Sequence, residues 1–300
     1  CFGKATGAAN LTVSGGTLPF SYQWDNGALT EDLTKVPEGT YAVTVTDDNG
    51  CTTGASATID QPTAIDVTTN IDQAIFCFGE TGTITASATG GTGTKSFLWN
   101  DPGAQNTATA SLLPARLYTV SATDENGCTS ATDVTLTQPD AISLNASLTH
   151  VSCNGASTGV IQLTASGGTP TIDFFWSTSD GAGITNPLSR NQSGLSAGTY
   201  TVEATDANLC VETASYTINE PPALGLFLAA KTDPLCVNES TGSIEVSATG
   251  GSGAYEYSID GTNWVTTPLF ENLAAGTYNI EVRDANATTC VYSGLTAVEL

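Results

Sequence analysis

Residues Gly39 to Cys51 read GTYAVTVTDDNGC. Tyr41, Val43 and Val45 alternate and so share one face of a strand, opened by a Gly-Thr corner and closed by a DDNG turn. The pattern returns as LYTVSATDENGC ending at Cys128, GTYTVEATDANLC ending at Cys210 and GTYNIEVRDANATTC ending at Cys290. An aspartate stands six residues after the tyrosine each time: Asp47, Asp124, Asp206 and Asp284. Self-similarity with a period of about 75 residues predicts an array of four related domains. The function has to be one that an array can perform.

Working outward, each unit carries the same punctuation. In the second, Ile65 and Val67 alternate on a first strand, and Cys77 follows in a loop. Ile84, Ala86 and Ala88 then share the face of a second strand that ends at Gly90-Gly91. Phe97 and Trp99 stand two apart on a third strand. The aromatic is Tyr22, Phe174 or Tyr257 in the other units; Trp24 and Trp176 match Trp99, and Ile259 takes that place in the fourth. Their strand spacing marks these pairs as core rather than as a strip for stacking sugars. Val36, Leu113, Leu195 and Leu273 each lie five residues before the corner tyrosine, the pattern of a tyrosine corner.

Short Thr- and Val-rich alternations separated by Gly, Asn and Asp predict an all-β chain of Ig-like (PKD/fibronectin-like) sandwiches, with supposed strands A, B, C, C′, E, F and G. Boundaries fall at Gln61-Pro62, Gln138-Pro139 and Glu220-Pro221-Pro222. The expected repeats are 1–62, 63–139, 140–221 and 222–300. The first is expected to lack its opening strand, which would lie before Cys1, so the chain reads as an internal piece of a longer protein. Prolines with almost no spacer predict a semi-rigid rod.

Thirty Asp and Glu face seven Lys and Arg, a net charge of −23. Such a surface excludes a general nucleic-acid binder, which needs cations to displace counterions. It also disfavours anionic membranes, and no apolar run approaches the ~20 residues of a spanning helix. The eight cysteines fall two to a repeat, without the paired Cys-x-x-Cys or His spacing of a zinc site. An even count at regular spacing points to disulfides and an extracellular setting.

Taken together, the Cys-x-Gly loop, the strand ending in Ser-Gly-Gly-Thr, the aromatic-x-Trp, the Gly-Thr-Tyr strand, the Asn-Gly-Cys turn and the Gln-Pro boundary resemble the SprB repeat. The resemblance covers all four units. Leu209 departs from it, replacing the glycine before Cys210, and Asn286-Ala-Thr-Thr lengthens the turn before Cys290. What the resemblance implies is export to the cell surface by type IX secretion, outer-membrane association, adhesion and gliding. The implied partners are neighbouring repeats of the same long chain, an external surface or polysaccharide, and the envelope machinery of gliding and secretion.

Chemistry has few places to reside. His150 is the only histidine, in one repeat and a loop, so no recurring catalytic arrangement is available. The expected function is therefore non-enzymatic, with no cofactor unless calcium. Asp47, Asp48 and Asn49, and Asp124, Glu125 and Asn126, cluster the oxygens that calcium prefers, although Asp and Asn are also ordinary turn formers. Two other functions stay open: a polysaccharide-binding array using loops such as 177–192, and accessory domains of a secreted enzyme.

The cysteines allow two disulfide maps, beside free thiols. In the supposed topology the first cysteine lies in the A–B loop and the second in the F–G turn, at opposite ends of a sandwich on the order of 20 Å long. A disulfide needs Cα atoms within ~7 Å. This favours bonds between neighbours, Cys1–Cys128, Cys77–Cys210 and Cys153–Cys290, with Cys51 and Cys236 bonded to repeats outside this chain. Bonding within each repeat, such as Cys77 to Cys128, remains the alternative.

Overall fold

A computed structural model describes residues 1–236 and 238–300. The chain divides into two compact units, Cys1–Pro139 and Asp140–Leu300. The first contains β1 (Gly7–Ala9), β2 (Ser21–Trp24), β3 (Leu33–Val36), β4 (Gly39–Thr46) and β5 (Thr52–Ile59). It continues with β6 (Asp66–Gln73), β7 (Gly82–Thr89), β8 (Ser96–Trp99), β9 (Thr109–Leu113), β10 (Arg116–Thr123) and β11 (Thr129–Leu136). Strands β6 to β11 form two antiparallel sheets, ordered β6-β7-β9 and β11-β10-β8. In the first repeat the sheets are β1-β3 and β2-β4-β5.

The second unit repeats the six-strand plan twice. Its strands are β12 (Ser143–Thr149), β13 (Gly159–Ser166), β14 (Ile172–Thr178), β15 (Gln192–Leu195), β16 (Gly198–Asp206) and β17 (Val211–Ile218). They are followed by β18 (Gly225–Thr232), β19 (Gly242–Thr249), β20 (Tyr255–Ser258), β21 (Leu269–Leu273), β22 (Thr277–Asp284) and β23 (Ala287–Glu299). The sheets are β12-β13-β15 with β14-β16-β17, and β18-β19-β21 with β20-β22-β23. The chain is all-β among the described residues, and the repeats are sandwiches.

One supposition needs correction. Among the described residues each complete repeat has six strands, not seven. The stretch 100–108 between β8 and β9 is a loop in the second repeat, held by the Asp101 carboxylate. Asp101 accepts from the Gly103 and Gln105 amides at 3.0 and 2.8 Å, satisfying the backbone without a strand partner.

The alternating residues build one core per repeat. Ile84, Ala86, Trp99, Leu113, Tyr118 and Val120 pack together in the second, with Trp99 1% exposed. Trp24 and Trp176 hold the same place in the first and third, and Ile259 packs against the fourth core. The tyrosine corners are formed. Tyr41, Tyr118, Tyr200 and Tyr278 donate to the carbonyls of Pro37, Pro114, Ser196 and Ala274, four residues upstream, at 2.7–3.0 Å.

The Gly-Gly pair has a steric reason. At Gly90, Gly167 and Gly250, φ is +72°, +75° and +80°, and an added Cβ would overlap the carbonyl oxygen of Ala64, Ala141 or Ala223. These alanines lead into the first strand of each sandwich, so the glycine lets that strand close over the corner.

Candidate functional site

The repeated aspartate is a staple between two loops. One Oδ of Asp124 accepts from the amides of Asn126 and Cys128, each at 2.9 Å, and the other from the amide of Thr92 at 2.9 Å. Asp47 holds the amides of Asn49, Cys51 and Thr17 in the same way, at 3.0, 2.9 and 3.1 Å. Asp206 holds Asn208, Cys210 and Thr169 at 2.8, 2.9 and 2.7 Å. Asp284 accepts from the amides of Asn286 and Ser252 and from the Ser252 hydroxyl. Each carboxylate thus joins the turn that carries the second cysteine to the Gly-Gly-Thr/Ser corner. Turn asparagines reinforce the link: Asn49, Asn208 and Asn286 donate to the hydroxyls of Thr17, Thr169 and Ser252 at 2.9 Å.

These bonds favour the ionised carboxyl. The Asp47, Asp124 and Asp206 carboxyls lie below the usual range, led by the amides of Cys51, Thr92 and Thr169 respectively. Burial pushes Asp284 upward, but its bonds to Ser252, Asn286 and Ala287 leave it lowered as well. Groups whose folded-state pKa is depressed add stability that is complete above the unfolded value, about 3.9 for Asp, and lost as pH falls through the folded values. The urea midpoint should therefore hold from pH 7 to about 5 and fall steeply toward pH 2. Asp124→Asn should flatten that fall for the second repeat, read by Trp99 fluorescence in a variant whose other tryptophans are phenylalanine.

The turn tolerates its sequence departures. Leu209 occupies φ +65°, beside +83° at Gly50 and +77° at Gly127, and Asp206 still accepts the Cys210 amide. A left-handed residue with a side chain costs roughly 1–2 kcal/mol, partly offset by the entropy of a glycine. Because Leu209 is 79% exposed and packs nothing, Leu209→Gly should stabilise the third repeat by about 0.5–1 kcal/mol in urea titration.

The first cysteine of each repeat sits in an equally defined loop. The Lys4 amide donates to Cys1 O at 3.2 Å, and the equivalent amides of Glu80, Ala156 and Glu239 donate to Cys77, Cys153 and Cys236 at 3.3, 3.1 and 3.2 Å. Gly3, Gly79 and Gly155 are left-handed, at φ +68°, +82° and +73°; Asn238 replaces them at +71°. The boundary residue of the same repeat fixes each glycine. Gln61, Gln138 and Glu220 accept the amides of Gly3, Gly79 and Gly155 at 2.6, 3.0 and 2.6 Å. The Cys-x-Gly loop is thereby tied to the strand end that leads into the next repeat.

Inside each unit this loop meets the following repeat's aspartate-held turn. Cys1 is bonded to Cys128 with Cα atoms 5.4 Å apart, and Cys153 to Cys290 with Cα atoms 5.3 Å apart. A cleft of ≈ 490 Å³ lies beside the first bond, lined by Lys4, Pro62, Ile65 and Asp124. Its counterpart of ≈ 210 Å³ in the second unit is lined by Asn154, Pro221, Leu224 and Asp284. Cys77 and Cys210 are not free, whereas Cys51 and Cys236 are exposed free thiols.

The SprB repeat matches residues 1–29, 68–104, 145–181 and 228–263. Each of the four repeats thus holds a segment similar to the SprB repeat. Each matched segment contains a Cys-x-Gly-type loop and a Gly-Gly corner, while the aspartate turns lie outside it. No curated protein matches the chain. Among solved structures, it is similar to the Ig1–Ig3 ectodomain of mouse nectin-like molecule 4: 12% identical, covering 70% of this chain and 92% of that one, with TM-score 0.36. It is also similar to the N-terminal eight Ig domains of Down syndrome cell adhesion molecule: 11% identical, covering 94% and 44%, with TM-score 0.30. Protocadherin gammaB7 EC3–6 is 14% identical over 91% of both chains, with TM-score 0.31. At these scores the sandwich assignment stands on the strand pairing described above.

Of the expected calcium oxygens, those of Asp47, Asp124 and Glu125 accept from nearby groups of the protein. Both Oδ atoms of Asp47 and Asp124 face amides, and Glu125 accepts from the Thr94 amide and hydroxyl at 3.0 and 2.9 Å. Asp48 is exposed. Asn49 is turned to Thr17, and the Asn126 amide donates to Asp124. Among the described residues no group of three or more His, Cys, Asp or Glu could hold a metal. His150 accepts the Asn219 amide through Nδ1 at 3.1 Å. Two contacts escaped sequence reasoning: aspartate to Thr/Ser, and boundary Gln/Glu to loop glycine. Both join segments far apart in sequence, and their only signal is joint recurrence in successive repeats.

Proposed function

We propose that this chain is a non-enzymatic, tension-carrying stretch of a very large exported cell-surface adhesin, serving surface attachment and gliding. The observation that carries the reading is the covalent bond at the repeat junction inside each unit, Cys1–Cys128 and Cys153–Cys290. Such a bond runs parallel to the short proline linker, so a pull along the chain passes through edge strands and bypasses the other strands of each sandwich. Cys77 and Cys210 occupy the corresponding loop and turn, and the reading joins them by the same clamp, making the four repeats a semi-rigid rod. The resemblance supplies the cell-surface setting, secretion route and gliding role. Eight regularly spaced cysteines agree with an extracellular location.

Single-chain stretching from the two ends tests the mechanical part. In the oxidised chain only stretches 128–153 and 290–300, about 35 residues, lie on the shortest covalent path, which limits extension to roughly 120 Å. After reduction the full chain should extend to about 1,000 Å. An oxidised chain that extends as far as the reduced one would overturn the tension-bypass reading.

A further inference from the structure

The loop before β15 in the third repeat departs from its counterparts at one amide. In the second and fourth repeats the amides of Ala86 and Val246 donate to loop carbonyls, those of Ala108 and Pro268, each at 2.9 Å. The equivalent amide, Leu163 of β13, donates to the Asn191 side chain at 2.9 Å. The Leu163 carbonyl accepts from Arg190 Nε, also at 2.9 Å. Side chains therefore stand where loop backbone lies in the other complete repeats, and a pocket of ≈ 450 Å³ opens beside them on the outer face of β12 and β13. Its floor is two directly opposed polar pairs, Asn145 with Thr164 and Ser147 with Gln162, all exposed. Arg190 borders it and is held from both sides. Leu163 fixes the guanidinium, and the buried Gln192 fixes the loop, donating through Nε2 to the carbonyls of Asn186 and Ser189 at 2.8 and 3.0 Å.

We propose that this pocket binds a glycan unit carrying one carboxylate among its hydroxyls, a uronate residue within an otherwise neutral oligosaccharide. Only Nε of Arg190 is used internally. Among the described residues its two Nη groups have no partner and no carboxylate pairs with it. Two such N–H groups in one plane match the two oxygens of a carboxylate. The absence of acid is local: the chain has 30 Asp and Glu against 7 Lys and Arg, yet no acidic residue lines this pocket. The corresponding face carries a carboxylate in the other complete repeats. Asp72 accepts from the Thr85 hydroxyl in the second, and Glu245 takes the place of Gln162 in the fourth. The Ser147 hydroxyl and Gln162 amide have no partner among the described residues, and both donate and accept, as sugar hydroxyls require. A net charge of −23 repels a polyanion, which selects a single carboxylate on a neutral backbone. Charges beyond the Debye length of about 8 Å are screened, so Arg190 governs the pocket itself. The site would supply the adhesive contact of the proposed function, and it rests on that reading for the surface it meets.

The test is isothermal titration of the full unreduced chain with xylotetraose bearing one glucuronate branch, beside plain xylotetraose. The acidic sugar should bind at least ~10-fold more tightly than the neutral one. Arg190→Ala should weaken the acidic sugar at least ~10-fold, and Gln162→Ala, which leaves the guanidinium and the core in place, by ~3-fold or more. Circular dichroism checks that both variants are folded. Equal affinity for the two sugars, no binding of the acidic one at millimolar concentration, or unchanged binding by both variants would overturn the proposal. So would equally tight binding of a short peptide with a single glutamate, which would make the partner a protein. Single-chain stretching separates the two readings. A chain that binds neither sugar yet stops at the clamped length sinks only this inference, while a chain that binds the acidic sugar and extends fully sinks only the rod.

Discussion

Replacing Cys1 and Cys128 together with serine should lower the free energy of unfolding the first two repeats as a pair by on the order of 4–5 kcal/mol. The bond closes a loop with a sequence separation of 127, among the longest a domain pair could offer, and restricting that loop in the unfolded chain is where the stabilisation arises. The native side should lose little, because the Asp124 staple holds the Cys128 turn and Gln61 holds the Gly3 loop without it. Each repeat carries one tryptophan, Trp24, Trp99, Trp176 and Trp264, so variants in which the other three are phenylalanine, which keeps an aromatic ring in each core, report each unfolding step in guanidinium. Trp24 and Trp99 should shift to lower denaturant, and the steps of the two repeats should separate. An unchanged midpoint for both would mean that the bond adds nothing to the junction.

Trp99→Ala should cost the second repeat about 3–5 kcal/mol, enough to unfold a domain of this size under mild conditions. Trp99 is 1% exposed among Ile84, Leu113, Tyr118 and Val120, so removing the indole leaves a cavity that rigid sheets cannot close. Its Nε1 also donates to Thr107 O at 3.0 Å, anchoring the loop before β9, and that carbonyl would lose its partner. Trp264→Ala is the comparison. Trp264 is only half-buried, with the Arg283 guanidinium 4.4 Å from its ring centroid, and its loss should cost ~1 kcal/mol. Circular dichroism of both variants reads the contrast.

Much of this architecture was legible because its signals are local. The alternation around Tyr41 and Tyr118, the residue five before each tyrosine, and the Gly-Gly corner all act within a few residues, so identity and spacing were enough. The aspartates show the limit. Their oxygens are visible in the sequence, but their direction depends on Thr17, Thr92, Thr169 and Ser252, which lie 30 to 37 residues away. Of the six residues that read as calcium ligands, Asp47, Asp124 and Glu125 accept backbone amides. Leu209 looked like a broken turn, yet the turn persists because aspartate bonds on both sides over-determine it. The C′ strand was supposed from fold analogy, whereas a carboxylate, Asp101, satisfies the loop between β8 and β9.

The most direct test of the central claim is the disulfide map of the unreduced chain, from proteolysis and mass spectrometry of the linked peptides. The account predicts peptides joining Cys1 to Cys128, Cys77 to Cys210 and Cys153 to Cys290, so that each repeat is clamped to the next. Peptides joining Cys77 to Cys128 and Cys153 to Cys210 would contradict it, leaving each sandwich closed on itself and the junctions free to part under load.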